Sequence, residues 1–345
     1  MKAAFFTGEG QVEIRDVPRP EPRAGEVLVK VHACGLCGSE LAYFEQGYPQ
    51  IMGHEISGTV VEAGPGVDVP VGTRCAVYLT QTCGRCEYCR AGNDNMCLQR
   101  TGSLAWDIPG GFAEYTAVPA KSVLPLDDRV PLDVGVLLLD YLGTTCHGLR
   151  LAKVDGARGA AGARRAAGAR RAAVIGCGPI GLGAIVGLKL FGVPTIFGAD
   201  LSPYRLQEVE RLGACAVDAR EGSAGERILE QAWPGVDLVV EASGAPAAWH
   251  EGFTALRPLG TLLVLGERQG HIELDLHSEF WHKDCSLVRS WYFPKKEFAE
   301  NQALLLESDV DPYALISHSF YLDQLQEAME LFRARETTKV IVTCS

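Results

Sequence analysis

Val174-Ile175-Gly176-Cys177-Gly178-Pro179-Ile180-Gly181 decides how this chain is read. A short apolar stretch at 172–175 runs into three glycines spaced Gly-x-Gly-x-x-Gly, and an apolar helical stretch follows at 180–191. A strand before and a helix after give that spacing its meaning. The first glycine permits a tight turn, the second lets the backbone approach a pyrophosphate, and the third lets helix pack on strand. The helix N-terminus, opened by Pro179 and Ile180, adds unpaired N–H groups and partial positive charge. Asp200 stands nineteen residues past Gly181, at the end of the next expected strand. A carboxylate there accepts from both ribose hydroxyls and repels a 2′-phosphate, which selects NAD over NADP.

Working outward, strand-like stretches at 195–199, 236–241 and 260–266 alternate with helical ones at 204–212 and 247–256. Such alternation is the mark of a parallel α/β sheet, here a doubly wound Rossmann domain expected over 151–285. Residues 1–150 read differently. Val- and Ile-rich runs at 26–33, 57–62 and 73–79 are separated by Pro and Gly, as in a β-rich domain. After about 285 the texture is mixed, with an amphipathic helix at 322–334 and a last strand at 339–344, so 286–345 is expected to return to the first domain. Between the two regions lies a tandem repeat, GARGAA, GARRAA, GARRAA, over 156–173. Three Gly-rich hexamers are too few for a solenoid and too poor in apolar side chains to build a core. A solvated insertion is expected, although its five arginines could also meet an anion or a partner.

Charged residues make up 22% of the chain and the net charge is −11, an acidity that argues against nucleic acid or an anionic membrane surface as partner. No apolar run reaches the ~18 residues of a membrane span, and residues 1–10 carry no apolar core of the kind an export signal has. With twelve cysteines in a long chain lacking such a signal, metal ligands are a better reading than disulfides, and a cytoplasmic location is expected.

Cys83, Cys86, Cys89 and Cys97 fall within fifteen residues. Two-residue spacers, with Gly84 and Gly92 permitting turns, can bring four thiolates to about 2.3 Å from one zinc. Four cysteines leave no open coordination position, so that metal would be structural. Elsewhere Cys37 lies in Cys34-Gly35-Leu36-Cys37-Gly38-Ser39-Glu40, and Gly53-His54-Glu55 follows. Each alone is weak, since a lone cysteine or histidine is usually structural.

Their order is informative: cysteine, Gly-His-Glu, four-cysteine lobe, dinucleotide fingerprint. It resembles the zinc-containing medium-chain dehydrogenase/reductase family over essentially the whole chain, through 110–115 (GGFAEY) and 338–342 (TKVIV). The resemblance implies a GroES-like β-rich catalytic domain beside the Rossmann domain. It assigns Cys37 and His54 to a catalytic zinc, with Asp140 as third ligand, in the manner of the Asp- or Glu-ligated threonine and polyol dehydrogenases. Cys146 is the rival third ligand, His147 a possible supporting residue, and Glu55 a transient ligand or an orienting group. Three protein ligands leave the open position that catalysis requires. By the same resemblance Arg205 lies beside the adenosine ribose, Thr144 and Gly266 near the nicotinamide, Tyr43 and Trp106 at the substrate pocket, and Ser39 carries the hydroxyl proton away. Arg205 could equally be a surface charge, and the two aromatics could fill core.

The expected function is NAD-linked interconversion of a secondary alcohol (polyol, cyclitol, amino alcohol or similar) and its ketone. Two zinc ions per chain and a homodimer or homotetramer are expected with it. Many relatives have a histidine five residues after the zinc cysteine to finish the proton relay; this chain has Ala42. Water, a base such as Glu45, or low activity would follow. Ala42 also leaves open a non-catalytic NAD- and zinc-binding sensor or scaffold.

Overall fold

A computed structural model describes residues 1–154, 169–267, 271–275 and 277–344. The chain forms two compact units, Met1–Asp140 with Pro294–Ser345, and Tyr141–Phe293; sequence texture alone placed the changes near 150 and 285. No helix among the described residues is long and apolar enough to cross a membrane.

In the first unit, the strand Glu26–Gly35 is the hub of a seven-stranded sheet among the described residues. It pairs antiparallel with Glu55–Ala63, with Tyr115–Pro119 and with the C-terminal strand Lys339–Thr343. Lys339–Thr343 in turn pairs parallel with Ile316–Tyr321. Val27, Val29, Val31 and Ile56 face a core shared with Phe6, Phe44, Phe112 and the helix Leu325–Arg333. The register sets Gly35 opposite Glu55. The strand ends that carry Cys37 and His54 are thereby brought together. GroES-like architecture is the outcome of this sheet.

In the second unit six parallel strands among the described residues run Cys215–Asp218, Thr195–Asp200, Arg171–Ile175, Val236–Glu241, Leu256–Val264, Ser286–Arg289 across the sheet. The strand order reverses beside Arg171–Ile175, which places the glycine loop at the switch point where doubly wound sheets bind ligands. Three features went unread in the sequence: the strand Cys215–Asp218, the helix Ala224–Gln231 and the edge strand Ser286–Arg289. The last is mostly exposed and has no apolar alternation, so texture ended the domain too early.

Most of the hexamer repeat lies outside the described residues. Its final three residues begin the strand Arg171–Ile175. There the Asp237 carboxylate accepts the backbone N–H groups of Arg170 and Arg171 at 2.9 and 2.8 Å, and Arg257 Nε at 2.6 Å.

Candidate metal centres and cofactor loop

Cys37 leads from the hub strand into a 3-10 turn, Gly38–Glu40, and the short helix Leu41–Gln46. His54 immediately precedes the neighbouring strand, Glu55 begins it, and Asp140 opens a π-helical turn, Asp140–Thr144. One donor atom from each of Cys37, His54, Glu55 and Asp140 lies within 4.8 Å of every other. Cys37 Sγ is 3.7 Å, and His54 Nε2 3.2 Å, from the same Asp140 oxygen. Tetrahedral zinc with ordinary bond lengths needs about 3.5 Å between sulfur and oxygen and about 3.3 Å between nitrogen and oxygen. The spacing fits the ion. Glu55 Oε2 and Asp140 Oδ1 are buried without a hydrogen-bond partner, a costly state that a cation among these donors relieves. Cys146 does not join them; its sulfur packs near Gly187 in the second unit.

The cluster favours positive charge. Burial works against the His54 imidazolium, yet hydrogen bonds to Asp140, Cys37 and Glu40 outweigh it and raise its pKa well above the ordinary value. For Asp140, burial is outweighed by His54, and its pKa falls. Burial pushes Glu55 up to about 7 against the pull of Lys339.

Two supporting residues escaped the sequence reading. Glu40 is fully buried; one oxygen lies 3.0 Å from His54 Nδ1 and the other accepts the Cys37 N–H at 3.1 Å. It thus orients both a ring and a loop, the usual way a metal-binding histidine has its tautomer fixed. Lys339 is buried with Nζ 2.5 Å from Glu55 Oε1 and 2.9 Å from the Leu36 carbonyl. A Cβ on Gly35 would come within 2.8 Å of Lys339 Cε and 2.9 Å of Glu55 Oε2. The signals were faint: a carboxylate three residues after the cysteine, and a lysine opening a mostly apolar strand.

The lobe cysteines gather as their spacing predicts. Their sulfurs all lie within 4.8 Å of one another, and Cys83 Sγ is 4.0 Å from Cys89 Sγ, near the ~3.8 Å edge of a tetrathiolate zinc site. Gly84 and Gly92 take positive φ at the turns. Backbone N–H groups of Arg85 and Cys86 point at the Cys83 sulfur and lower its pKa to about 6.

In the glycine loop, Gly176 has φ +89°, and a Cβ there would lie 2.6 Å from Ser243 Cβ. A Cβ on Gly181 would strike the Gly176 carbonyl. Pro179 starts the helix Pro179–Leu190 with Gly178 as N-cap, and Ile180 sits in its first turn. Asp200 accepts from Cys177 N–H at 2.7 Å and Ser202 N–H at 2.8 Å. Arg205 lies 3.7 Å from Asp200 and faces Gly178, so its charge belongs to the loop. Thr144 closes the π-helical turn with its hydroxyl buried and unbonded. Gly266 N–H donates to the Glu241 carbonyl at 3.0 Å.

Beside the metal ligands stands an aromatic wall. The Trp106 ring centroid is 5.0 Å from that of His54 and 6.2 Å from that of Tyr43, and Tyr43 meets Tyr48 edge-on at 4.8 Å. Ala105 holds φ +72° to present Trp106, a strain of about 1–2 kcal/mol. Ser39 and Ala42 are both exposed. Glu45 pairs with Arg333 at 2.7 Å, with both side chains about half exposed.

Comparison with known proteins now decides the family. Residues 23–128 match the alcohol dehydrogenase GroES-like domain and 179–307 the zinc-binding dehydrogenase domain. The chain is 31% identical to the L-threonine 3-dehydrogenase of Pyrococcus abyssi, covering 99% of this chain and 97% of that protein. The chain belongs to the zinc-dependent alcohol dehydrogenase family. It is an oxidoreductase with the family's α/β fold. The sorbitol dehydrogenase of Bacillus subtilis is 30% identical over 99% of this chain and 97% of its own length. A short chain alcohol dehydrogenase from Escherichia coli CFT073, solved with NADH, superposes with a TM-score of 0.87 at 27% identity over 99% of both chains. Such relatives make the enzyme a polyol or alcohol dehydrogenase acting on small molecules, and they set aside the scaffold reading that Ala42 had left open.

Proposed function

We propose that this dehydrogenase interconverts a secondary alcohol and its ketone with NAD, using one catalytic and one structural zinc per chain. The observation that carries it is the mixed donor set: Cys37, His54 and Asp140 stand at tetrahedral spacing, which leaves a fourth position for substrate. Bound zinc supplies a Lewis acid that makes a hydroxyl proton easier to lose, and NAD supplies the hydride acceptor. With both groups bound, the alcohol would give up a proton from oxygen and a hydride from carbon to leave the carbonyl. Ser39 takes the proton, and its exposure lets water receive it directly; Glu45, tied to Arg333, is not needed. Glu40 holds His54 and Cys37 in place, and Lys339 holds Glu55 beside them.

Gly176, Gly178, Gly181 and the helix N-terminus at Pro179 and Ile180 hold the pyrophosphate. Asp200 keeps acceptor capacity beyond its two N–H bonds, which suits the ribose hydroxyls, with Arg205 alongside. Thr144 and Gly266 serve the nicotinamide end. Cys83, Cys86, Cys89 and Cys97 hold the structural zinc. The names of the relatives bring two substrate classes into play, a zwitterionic amino acid and a neutral polyol. All twelve cysteines are unbridged, which supports a reducing, cytoplasmic setting; a homodimer or homotetramer rests on resemblance alone.

The test is absorbance-monitored NAD+ reduction across secondary alcohols, on protein whose zinc has been measured. Turnover with about two zincs per chain is expected; silence toward every alcohol from protein that binds zinc and NAD would overturn the reading. Asp200→Ala should raise the kcat/KM ratio of NADP to NAD at least tenfold, the ~1.4 kcal/mol of one lost repulsion. An unchanged ratio would remove Asp200 from the ribose site.

A further inference from the structure

The geometry points to a neutral polyhydroxy substrate, a polyol or cyclitol, that lays its C–H face on the Trp106 ring while one hydroxyl reaches the Cys37–His54–Asp140 cluster. The inference rests on the oxidoreductase reading above and adds what selects the substrate. Trp106 is half-buried, 5.0 Å from the ring of His54, so anything bound at the cluster meets its face or edge. The main chain at Trp106 is pinned: its carbonyl accepts Tyr48 Oη and Gln50 Nε2, each at 3.0 Å. The Ser103 N–H closes the turn on Asp107 at 2.8 Å, and Ala105 N–H bonds the Ile108 carbonyl at 2.8 Å. A platform fixed from both sides is preorganised for stacking.

Charge decides between substrate classes. Residues 37–54 and 101–112, which build this wall, contain no lysine or arginine, so a substrate carboxylate or phosphate finds no cation in them. The acidic side chains of the same segments are engaged. Glu40 serves His54 and Cys37, Glu45 serves Arg333, and Asp107 serves Ser103. Each of these carboxylates already has a partner, so an ammonium group would have to compete for it. Aromatic carbon, the Tyr43 hydroxyl and the acceptor side of Tyr48 Oη remain, a surface suited to the alternating C–H and O–H groups of a polyol.

The zinc-loaded enzyme with NAD+ should be assayed on myo-inositol, sorbitol, 2,3-butanediol, threonine, an amino alcohol, sorbitol 6-phosphate and 2-propanol. A neutral polyol should give the highest kcat/KM, about 100-fold or more above threonine and the phosphate ester. Trp106→Ala should raise KM for that polyol about tenfold with a smaller change in kcat, a clearly larger loss of kcat/KM than for 2-propanol, which has no face to stack. Trp106→Phe should restore most of the loss and guards against a merely unfolded variant. Threonine, the amino alcohol or the phosphate as best substrate would overturn the inference. So would equal losses for polyol and 2-propanol. If no alcohol reduces NAD+, the oxidoreductase reading falls, and saturation-transfer NMR with myo-inositol still decides the platform. Transfer lost in Trp106→Ala supports it; transfer absent from the wild type, or unchanged in the variant, refutes it.

Discussion

The four-cysteine lobe draws its donors from fifteen consecutive residues, whereas the Asp140 cluster collects its own from positions 37, 54, 55 and 140. In the lobe, local turns do the assembling, and three of the four cysteines keep some solvent exposure. In the cluster a sheet register does it, and the charges around the donors are buried: Glu40 behind His54, and Lys339 against Glu55. In a lobe of that kind the hold on a metal rests on the turns themselves. A cluster of the second kind is tied to the core, so its neighbours bear on the metal as directly as its ligands do. One unit thus carries a local and a global way of gathering metal-type donors.

That contrast breaks most sharply at Asp140. Asp140→Asn should cut turnover by more than the roughly 10–100-fold that losing a supporting hydrogen bond costs. Elemental analysis should show about one zinc per chain, with NAD affinity retained in titrations. Full activity with two zincs would take Asp140 out of the ligand set. Next comes Glu40→Gln, expected to weaken the cluster's metal about 10–100-fold, read as faster chelator-driven zinc loss. The lobe metal should be unchanged, and equal loosening of both would erase the distinction. Cys86→Ser should act in reverse: one zinc lost, turnover at low temperature largely kept, and a lower melting temperature. A unit of this size moves ~2–4 °C for each kcal/mol. Removal of 156–167 should matter least. Neither metal belongs to the second unit, and shortening a connection twofold changes closure entropy by only about 0.6 kcal/mol; turnover and both zincs should be near wild type, and loss of folding would show the repeat to be structural.

Much of this molecule could be read before it was seen, for a physical reason. Glycine loops and cysteine turns write their constraint into neighbouring residues, so Gly176, Gly178 and Gly181 or Cys83 to Cys97 announce themselves. Glu40 and Lys339 do not, because a carboxylate or lysine that will be buried looks like any surface charge until its partner is known. Asp140 was found only through resemblance. Its turn is π-helical rather than α-helical, so a 3.6-residue wheel could not have placed Cys146 or His147 relative to it. Ser286–Arg289 was missed because an exposed edge strand lacks the apolar alternation that betrays buried ones.

The room at Gly35 carries a last consequence, for the history of the sequence. Lys339 and Glu55 fill the space a side chain would take there. Any larger residue at 35 must displace an ion pair whose members lie 284 positions apart, and either member lost alone leaves the other charged and buried. Positions 35, 55 and 339 therefore cannot drift independently. A side chain placed at 35 should be tolerated only where Glu55 and Lys339 have both been replaced by smaller, uncharged residues.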